Sequence, residues 1–186
     1  MGTWDMGVDF KEALMKLLQA RSYLRAHPTE TNKRLLRSVN ILITQLTNGL
    51  RVSEALDCYY KFLETLEREI EVKLAKSSKD KYRICMIPPF FDKLDVLLTK
   101  DVKRPHPTVL THIARRYFGF NTHSLRYAFI NYMLQQDIDV ATVSKIVGHR
   151  KLDTILTYVQ ERRARRTLEE HLKKLFREFK GTAIST

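Results

Sequence analysis

His123 and Arg126 stand one helical turn apart, His149 follows Gly148, and Tyr158 comes shortly after, so two histidines, an arginine and a tyrosine fall within one short stretch. Those side chains suit attack on a phosphodiester. A phosphodiester is an anion that repels nucleophiles, and its pentacoordinate transition state gathers more negative charge on the non-bridging oxygens. Arginine answers that charge, because its planar fork donates two parallel hydrogen bonds to phosphate and stays protonated. Histidine exchanges a proton near neutral pH, and a positioned tyrosine hydroxyl can serve as a covalent nucleophile. Together they propose a phosphotyrosine intermediate formed without a metal. Taken singly, a tyrosine late in an amphipathic helix is more often a core or boundary residue. It is the joint occurrence that carries the reading.

The elements that must hold these residues can be read from periodicity. From Phe10, the leucines 14, 17, 18 and 24 recur at helical spacing and stop before Pro28. Thr31 can cap a second helix through Leu35, Leu36, Val39, Leu42, Ile43 and Leu46, ended by Asn48 and Gly49. Ser53, before Glu54-Ala55-Leu56, is placed to start a third. Then the period changes. Glu69 to Leu74 and Arg83 to Ile87 alternate polar with apolar residues around the polar run 76–81, a β-hairpin with a basic tip closed by Pro88-Pro89. Helices are expected at 90–99, 107–117, 122–136, 140–147, 152–159 and 162–179, with the segment around Arg104-Pro105-His106-Pro107 as the flexible connection. The fold class is mainly α (α+β), a helical domain with one small antiparallel hairpin.

Composition narrows the partners. Thirty-three Lys and Arg against 21 Asp and Glu give a net charge of +12 in 186 residues, a balance suited to nucleic acid. Charge alone would equally fit a ribosomal or membrane-surface protein. No apolar run is long enough to span a bilayer, and the first residues lack the pattern of a secretory signal. Cys58 and Cys85, the two cysteines, imply no disulfide framework and lie in separate apolar surroundings. The expected setting is therefore reducing and cytoplasmic, either nucleoid-associated or, for a virus- or plasmid-encoded protein, in the host cell.

Residues 122–134, Thr-His-Ser-Leu-Arg-Tyr-Ala-Phe-Ile-Asn-Tyr-Met-Leu, followed by Val147-Gly-His-Arg-Lys-Leu-Asp-Thr-Ile-Leu-Thr-Tyr158, resemble the C-terminal signature of the tyrosine recombinases, the phage-integrase family. Upstream, Thr47-Asn-Gly-Leu-Arg-Val-Ser-Glu-Ala-Leu56 resembles that family's first arginine box. Three boxes in order over residues 47–158 are far more specific than one short motif.

The resemblance implies a division of labour. Arg51 and Arg126 would clamp the non-bridging oxygens, His123 would help Tyr158 lose its proton, and His149 would hydrogen-bond the phosphate. Tyr158 would attack phosphorus, leaving a 3′-phosphotyrosine and a free 5′-hydroxyl. The family also uses a hairpin lysine as general acid for the leaving 5′-oxygen. Lys76 matches by its distance from Arg51, Lys79 competes with it, and Lys73 and Lys81 are lesser candidates. Glu54 falls where the family often carries an acid that orients a catalytic arginine or histidine. Lys79, Lys81, Arg150 and Lys151 are expected to contact DNA. No metal or other cofactor is expected.

The family commonly adds an N-terminal DNA-binding domain. Here residues 1–186 read as a single catalytic domain without it, with 1–30 a helical lead-in and 160–186 a terminal helix and tail. In that tail Leu168, Leu172, Leu175 and Phe179 form one apolar face among charged residues. The face either packs on its own domain or, as often in the family, docks on a neighbouring protomer in a DNA-bound tetramer.

Other readings use some of the same residues. Residues 139–150 with the helix beyond resemble a helix-turn-helix, which would make the chain a silent DNA-binding regulator. A type IB topoisomerase would share the chemistry but relax DNA without a second duplex. Only the recombinase boxes account for Arg51 as well.

Overall fold

A computed structural model describes residues 8–75, 81–148, 164–165 and 167–177. The first leucine stripe becomes α1 (Phe10–Ala26), whose buried side is Ala13, Leu17, Arg21 and Leu24. Next, α2 (Glu30–Asn48) has every residue from Leu36 to Leu46 buried and so forms the axis of the unit. The remaining elements here are α3 (Val52–Thr65), β1 (Glu69–Lys73), β2 (Tyr82–Met86), α4 (Lys93–Thr99), α5 (Pro107–Phe118), α6 (Thr122–Gln135) and α7 (Val140–Val147). Helices α1, α3, α4, α5 and α6 all pack on α2. Among the described residues the fold is mainly helical with one two-stranded antiparallel sheet, as expected.

A helix enclosed on all sides must satisfy the polar groups it carries. Asn40 on α2 donates to the Tyr59 hydroxyl (2.9 Å) and to Asp95 (3.2 Å). Gln45 Nε2 donates to the carbonyls of Leu50 (3.2 Å) and Thr122 (2.8 Å), which ties the α2–α3 turn to the start of α6. Around these bonds the core closes with Tyr59, Phe62 and Phe91, whose rings meet at centroid distances of 5.9–6.2 Å. Each such side chain contributes about 1.5–3 kcal/mol by leaving water.

Several boundaries differ from expectation. Thr29, not Thr31, caps α2 by accepting from the Asn32 amide, because Pro28 releases the chain into helix two residues earlier. At α3 the cap is Arg51 rather than Ser53. The Glu54 carboxylate reaches back to the Arg51 amide, and Ser53 lies inside the first turn. Pro89 and Phe90 form a turn before α4, closed by the Phe91 amide on the Pro88 carbonyl, and the helix waits for Asp92 to cap the amides of Leu94 and Asp95. The connection around Arg104 is well tethered. Arg104 pairs with Asp57 and lies 5.0 Å over the Tyr60 ring, while Arg37 donates to the Lys103 carbonyl.

In the hairpin Ile70 pairs with Cys85 and Val72 with Arg83, and directly opposed residues share a face. Ile70 and Val72 point inward, so Arg83 and Cys85 do too, and Ile84 and Met86 face solvent. That reverses the polarity expected for β2. The thiols of Cys58 on α3 and Cys85 on β2 interact, so the cysteines are neighbours rather than separate.

The chain divides into two compact units, Met1–Gly148 and His149–Thr186. In the second unit residues 164–165 and 167–177 are helical, within the helix expected at 162–179, and the expected helix 152–159 lies outside the described residues.

Candidate active site

The first box begins where α2 stops. Gly49 takes a left-handed conformation (φ 59°), and a Cβ there would lie 2.4 Å from Phe129 Cδ1 and 3.0 Å from Val147 Cγ1, so both backbone and space demand glycine. Two residues later Arg51, extended, opens α3. The turn brings its guanidinium onto Glu54, with Nη1 at 2.8 Å from Oε1, while the Arg51 amide donates to Oε2 at 3.0 Å. Arg51 keeps 21% of its side chain in solvent and Glu54 only 1%.

Glu54 is the hub. It also accepts from the Ala75 amide just past β1 (3.1 Å) and from Arg83 Nη2 (3.1 Å), and Arg126 Nη1 stands 4.0 Å away. Burial pushes its carboxyl up, but the Arg51 and Ala75 hydrogen bonds and the Arg83 charge outweigh that and leave it below its ordinary value. The carboxylate is thus charged at neutral pH.

Arg126 reaches the same point from α6. Its Nη1 donates to the Gly49 carbonyl (2.7 Å) and its Nη2 to the Val147 carbonyl (2.9 Å), joining the glycine of the first box to the residue before Gly148-His149. Burial and the neighbouring cations Arg51 and Arg83 push it down to about 10, which leaves it protonated at neutral pH. One turn earlier, exposed His123 sits in the Asn121-capped first turn, its ring edge-on to Tyr127 with centroids 5.1 Å apart.

Gly148 ends α7 as Gly49 ends α2. Its φ is 62°, and a Cβ would lie 2.6 Å from Leu74 Cδ2, so the end of β1 rests against the residue that leads into His149. The Leu74 amide donates to the Lys81 carbonyl (2.8 Å), closing the hairpin below its tip. Lys73 lies on the solvent face of β1 and Lys81 is exposed at the base of the tip.

The structure therefore brings Arg51, Glu54 and Arg126 together, with His123 on the same helix as Arg126. Lys76, Lys79, His149, Arg150, Lys151 and Tyr158 lie outside the described residues. Arg83 was not among the sequence candidates, and its only signal there was an arginine within a strand pattern. Among the described residues no group of three His, Cys, Asp or Glu side chains could hold a metal ion, and no helix is long and apolar enough to cross a membrane.

No family model matches the chain. It is 38% identical over 167 residues to a candidate integrase of Acidianus two-tailed virus, covering 88% of this chain and 66% of that protein. With a candidate integrase of Sputnik virophage it shares 30% identity over 195 residues, covering 84% of this chain and 85% of the other. The chain belongs to the tyrosine recombinase/integrase family. Among solved structures, the XerA recombinase matches with a TM-score of 0.57 at 19% identity, over 92% of this chain and 64% of that one. The XerH site-specific recombinase, bound to its difH substrate before cleavage, matches at 0.52 and 21% identity, over 76% and 46%. These two likenesses establish the tyrosine recombinase fold. The chain spans just under two thirds of the Acidianus virus relative and of XerA, and about half of XerH.

Proposed function

We propose that this chain cuts and rejoins DNA strands as a site-specific recombinase or integrase, through a 3′-phosphotyrosine on Tyr158. The observation that carries this reading is the cluster at Glu54, where the three cations Arg51, Arg83 and Arg126 surround one buried carboxylate and leave two positive charges in excess. A site so charged attracts an anion, and a phosphodiester is an anion suited to the two family arginines.

In the step proposed, the Tyr158 oxygen forms a bond to phosphorus while the bond from phosphorus to the 5′-oxygen breaks. His123 takes part in removing the tyrosine proton. A hairpin lysine, Lys76 or its competitor Lys79, delivers a proton to the departing 5′-oxygen. Arg51, Arg126 and His149 hold the non-bridging oxygens, and Arg51 is set for this by its partly open side chain and its bond to Glu54. The broken ester's energy is retained in the phosphotyrosine, so a 5′-hydroxyl can reseal the strand without ATP. Lys81, Arg150 and Lys151 add phosphate contacts, which make DNA binding strongly salt-dependent. The second unit supports self-association on DNA, because its helix leaves Leu168, Leu172, Leu175 and Phe176 exposed.

A nicked suicide substrate tests the whole reading. The wild-type chain is expected to accumulate a covalent adduct that Tyr158→Phe cannot form, although that variant still binds DNA. Mixing Tyr158→Phe with Arg126→Ala restores the adduct if the tyrosine is delivered by a neighbouring subunit, and removing residues 167–186 should then abolish the rescue. An adduct persisting in Tyr158→Phe, or none in wild type, overturns the proposal.

A further inference from the structure

Resting on that reading of the site, we propose that Arg83, which belongs to none of the three boxes, is a positioning residue that fixes Glu54 and the end of α7 relative to each other. Its side chain is buried in an inward position of β2, opposite Val72 and two residues from Cys85. From there Nη2 donates to Glu54 Oε2 (3.1 Å) and Nη1 to the Ile146 carbonyl in the last turn of α7 (2.8 Å). One guanidinium thus spans from the first box to the last turn before Gly148-His149. Its third nitrogen, Nε, is buried without a hydrogen-bond partner among the described residues.

Stability alone gives a poor account of this arrangement. The inward neighbours along the hairpin, Ile70, Val72 and Cys85, are apolar, and an aliphatic side chain at 83 would continue their packing. A buried cation instead carries a large desolvation cost, which its bonds to Glu54 and to the Ile146 carbonyl must offset. What the arginine supplies is direction. Glu54 Oε2 accepts from Arg83 and from the Arg51 amide, while Oε1 holds the Arg51 guanidinium. Loosening the Arg83 end lets the carboxylate turn and carries the Arg51 fork with it. At its other end, the Ile146 carbonyl adjoins the Val147 carbonyl that anchors Arg126. Arg83 stands outside the boxes whose arginines would clamp the phosphate, so the role assigned to it runs through Glu54, Arg51 and the segment entering His149.

Among the described residues, the charged and titratable groups facing Glu54 are Arg51 at the start of α3, Arg83 and the Cys85 thiol from β2, and Arg126 from α6. Withdrawing the Arg83 charge makes the carboxylate easier to protonate. The acid limb of the cleavage profile must then move to higher pH.

Arg83→Met and Arg83→Lys in the full chain test this with the suicide substrate, read as single-turnover cleavage against pH together with DNA affinity and melting temperature. Arg83→Met is expected to bind DNA equally, yet to cleave about 10- to 100-fold more slowly, a loss larger than any fall in melting temperature explains, with its acid limb shifted upward. Arg83→Lys should recover part of the rate and return the limb towards wild type. The proposal is overturned if Arg83→Met cleaves at the wild-type rate with an unmoved limb. It is also overturned if the rate falls only in step with melting and lysine rescues neither. Should wild type form no adduct, the recombinase reading falls and this role with it; an adduct in wild type with no effect at Arg83 removes this role alone.

Discussion

Two buried carboxylates among the described residues organise arginines, Glu54 at the site and Asp95 on α4 beside Asn40 of α2. Asp95 accepts from Arg21 (2.6 Å), Arg25 (3.4 Å) and Asn40, and Asp92 beside it pairs with Arg25 at 2.8 Å. Two guanidiniums meet two carboxylates there, and the charge closes. Around Glu54 three guanidiniums meet one carboxylate, and two positive charges stay open. Both clusters join several elements with well-formed hydrogen bonds, so geometry does not separate them. Charge balance does, because a neutral cluster is complete when the chain folds, while an unbalanced one is complete only when an anion arrives.

Removing the carboxylates has the largest expected effect. Asp95→Ala strands Arg21 in the core and should lower unfolding stability by about 3–5 kcal/mol, the scale for breaking a buried pair, as measured by urea denaturation. Glu54→Ala should cost a similar amount without anions and recover part of it in sulfate. Recovery by Asp95→Ala in sulfate would erase the distinction.

Anion binding itself comes next. Inorganic sulfate at ten times its dissociation constant stabilises a folded site by about 1.4 kcal/mol, a rise of a few degrees in melting temperature for a domain of this size. Wild type should show that rise, Arg51→Ala and Arg126→Ala should lose it, and Arg25→Ala should keep it. Equal shifts in all four proteins would show that the open charge attracts nothing in particular.

Acid gives the smallest effect. Glu54 lies below its ordinary value of 4.5 despite burial, so its stabilisation is full above about pH 4.5 and disappears as pH falls through the lowered value. Asp92 is held at about 2 against an ordinary 3.8, because the hydrogen bond and charge of Arg25 and the bonds from Asp95 outweigh its desolvation, so its share survives to lower pH. Glu54→Gln should therefore flatten the upper part of the acid melting profile and leave the lower part; an unchanged upper part would show that Glu54 carries no such linkage.

The helices were legible because leucines repeat along them and glycines stop them, as at Gly49 and Gly148. Cap positions were less so. Thr29 and Thr31 are chemically equivalent, and only the chain's direction after Pro28 selects between them. The convergence of Arg51 with Arg126 was reachable only through the family resemblance, since the Gly49 and Val147 carbonyls that fix Arg126 are remote in the chain. Arg83 escaped because strand alternation assumes that apolar residues turn inward. Register with Ile70 and Val72 decided otherwise and put Ile84 and Met86 in solvent. The meeting of Cys58 with Cys85 was hidden for the same reason, a helix and a strand joined by packing that no local pattern encodes.

That last pair has a practical use. The chain's two thiols are both buried and adjoin one another; contact with Cys85 and burial hold the Cys58 proton well above the usual thiol range, while contact with Cys58 holds Cys85 below its ordinary value. Because neither sulfur is exposed, maleimide dyes will reach almost no thiol on the native protein. A single cysteine introduced at exposed Tyr82 becomes the one point that takes a fluorophore, and the hairpin's approach to labelled DNA can then be followed by energy transfer with no background from the native thiols.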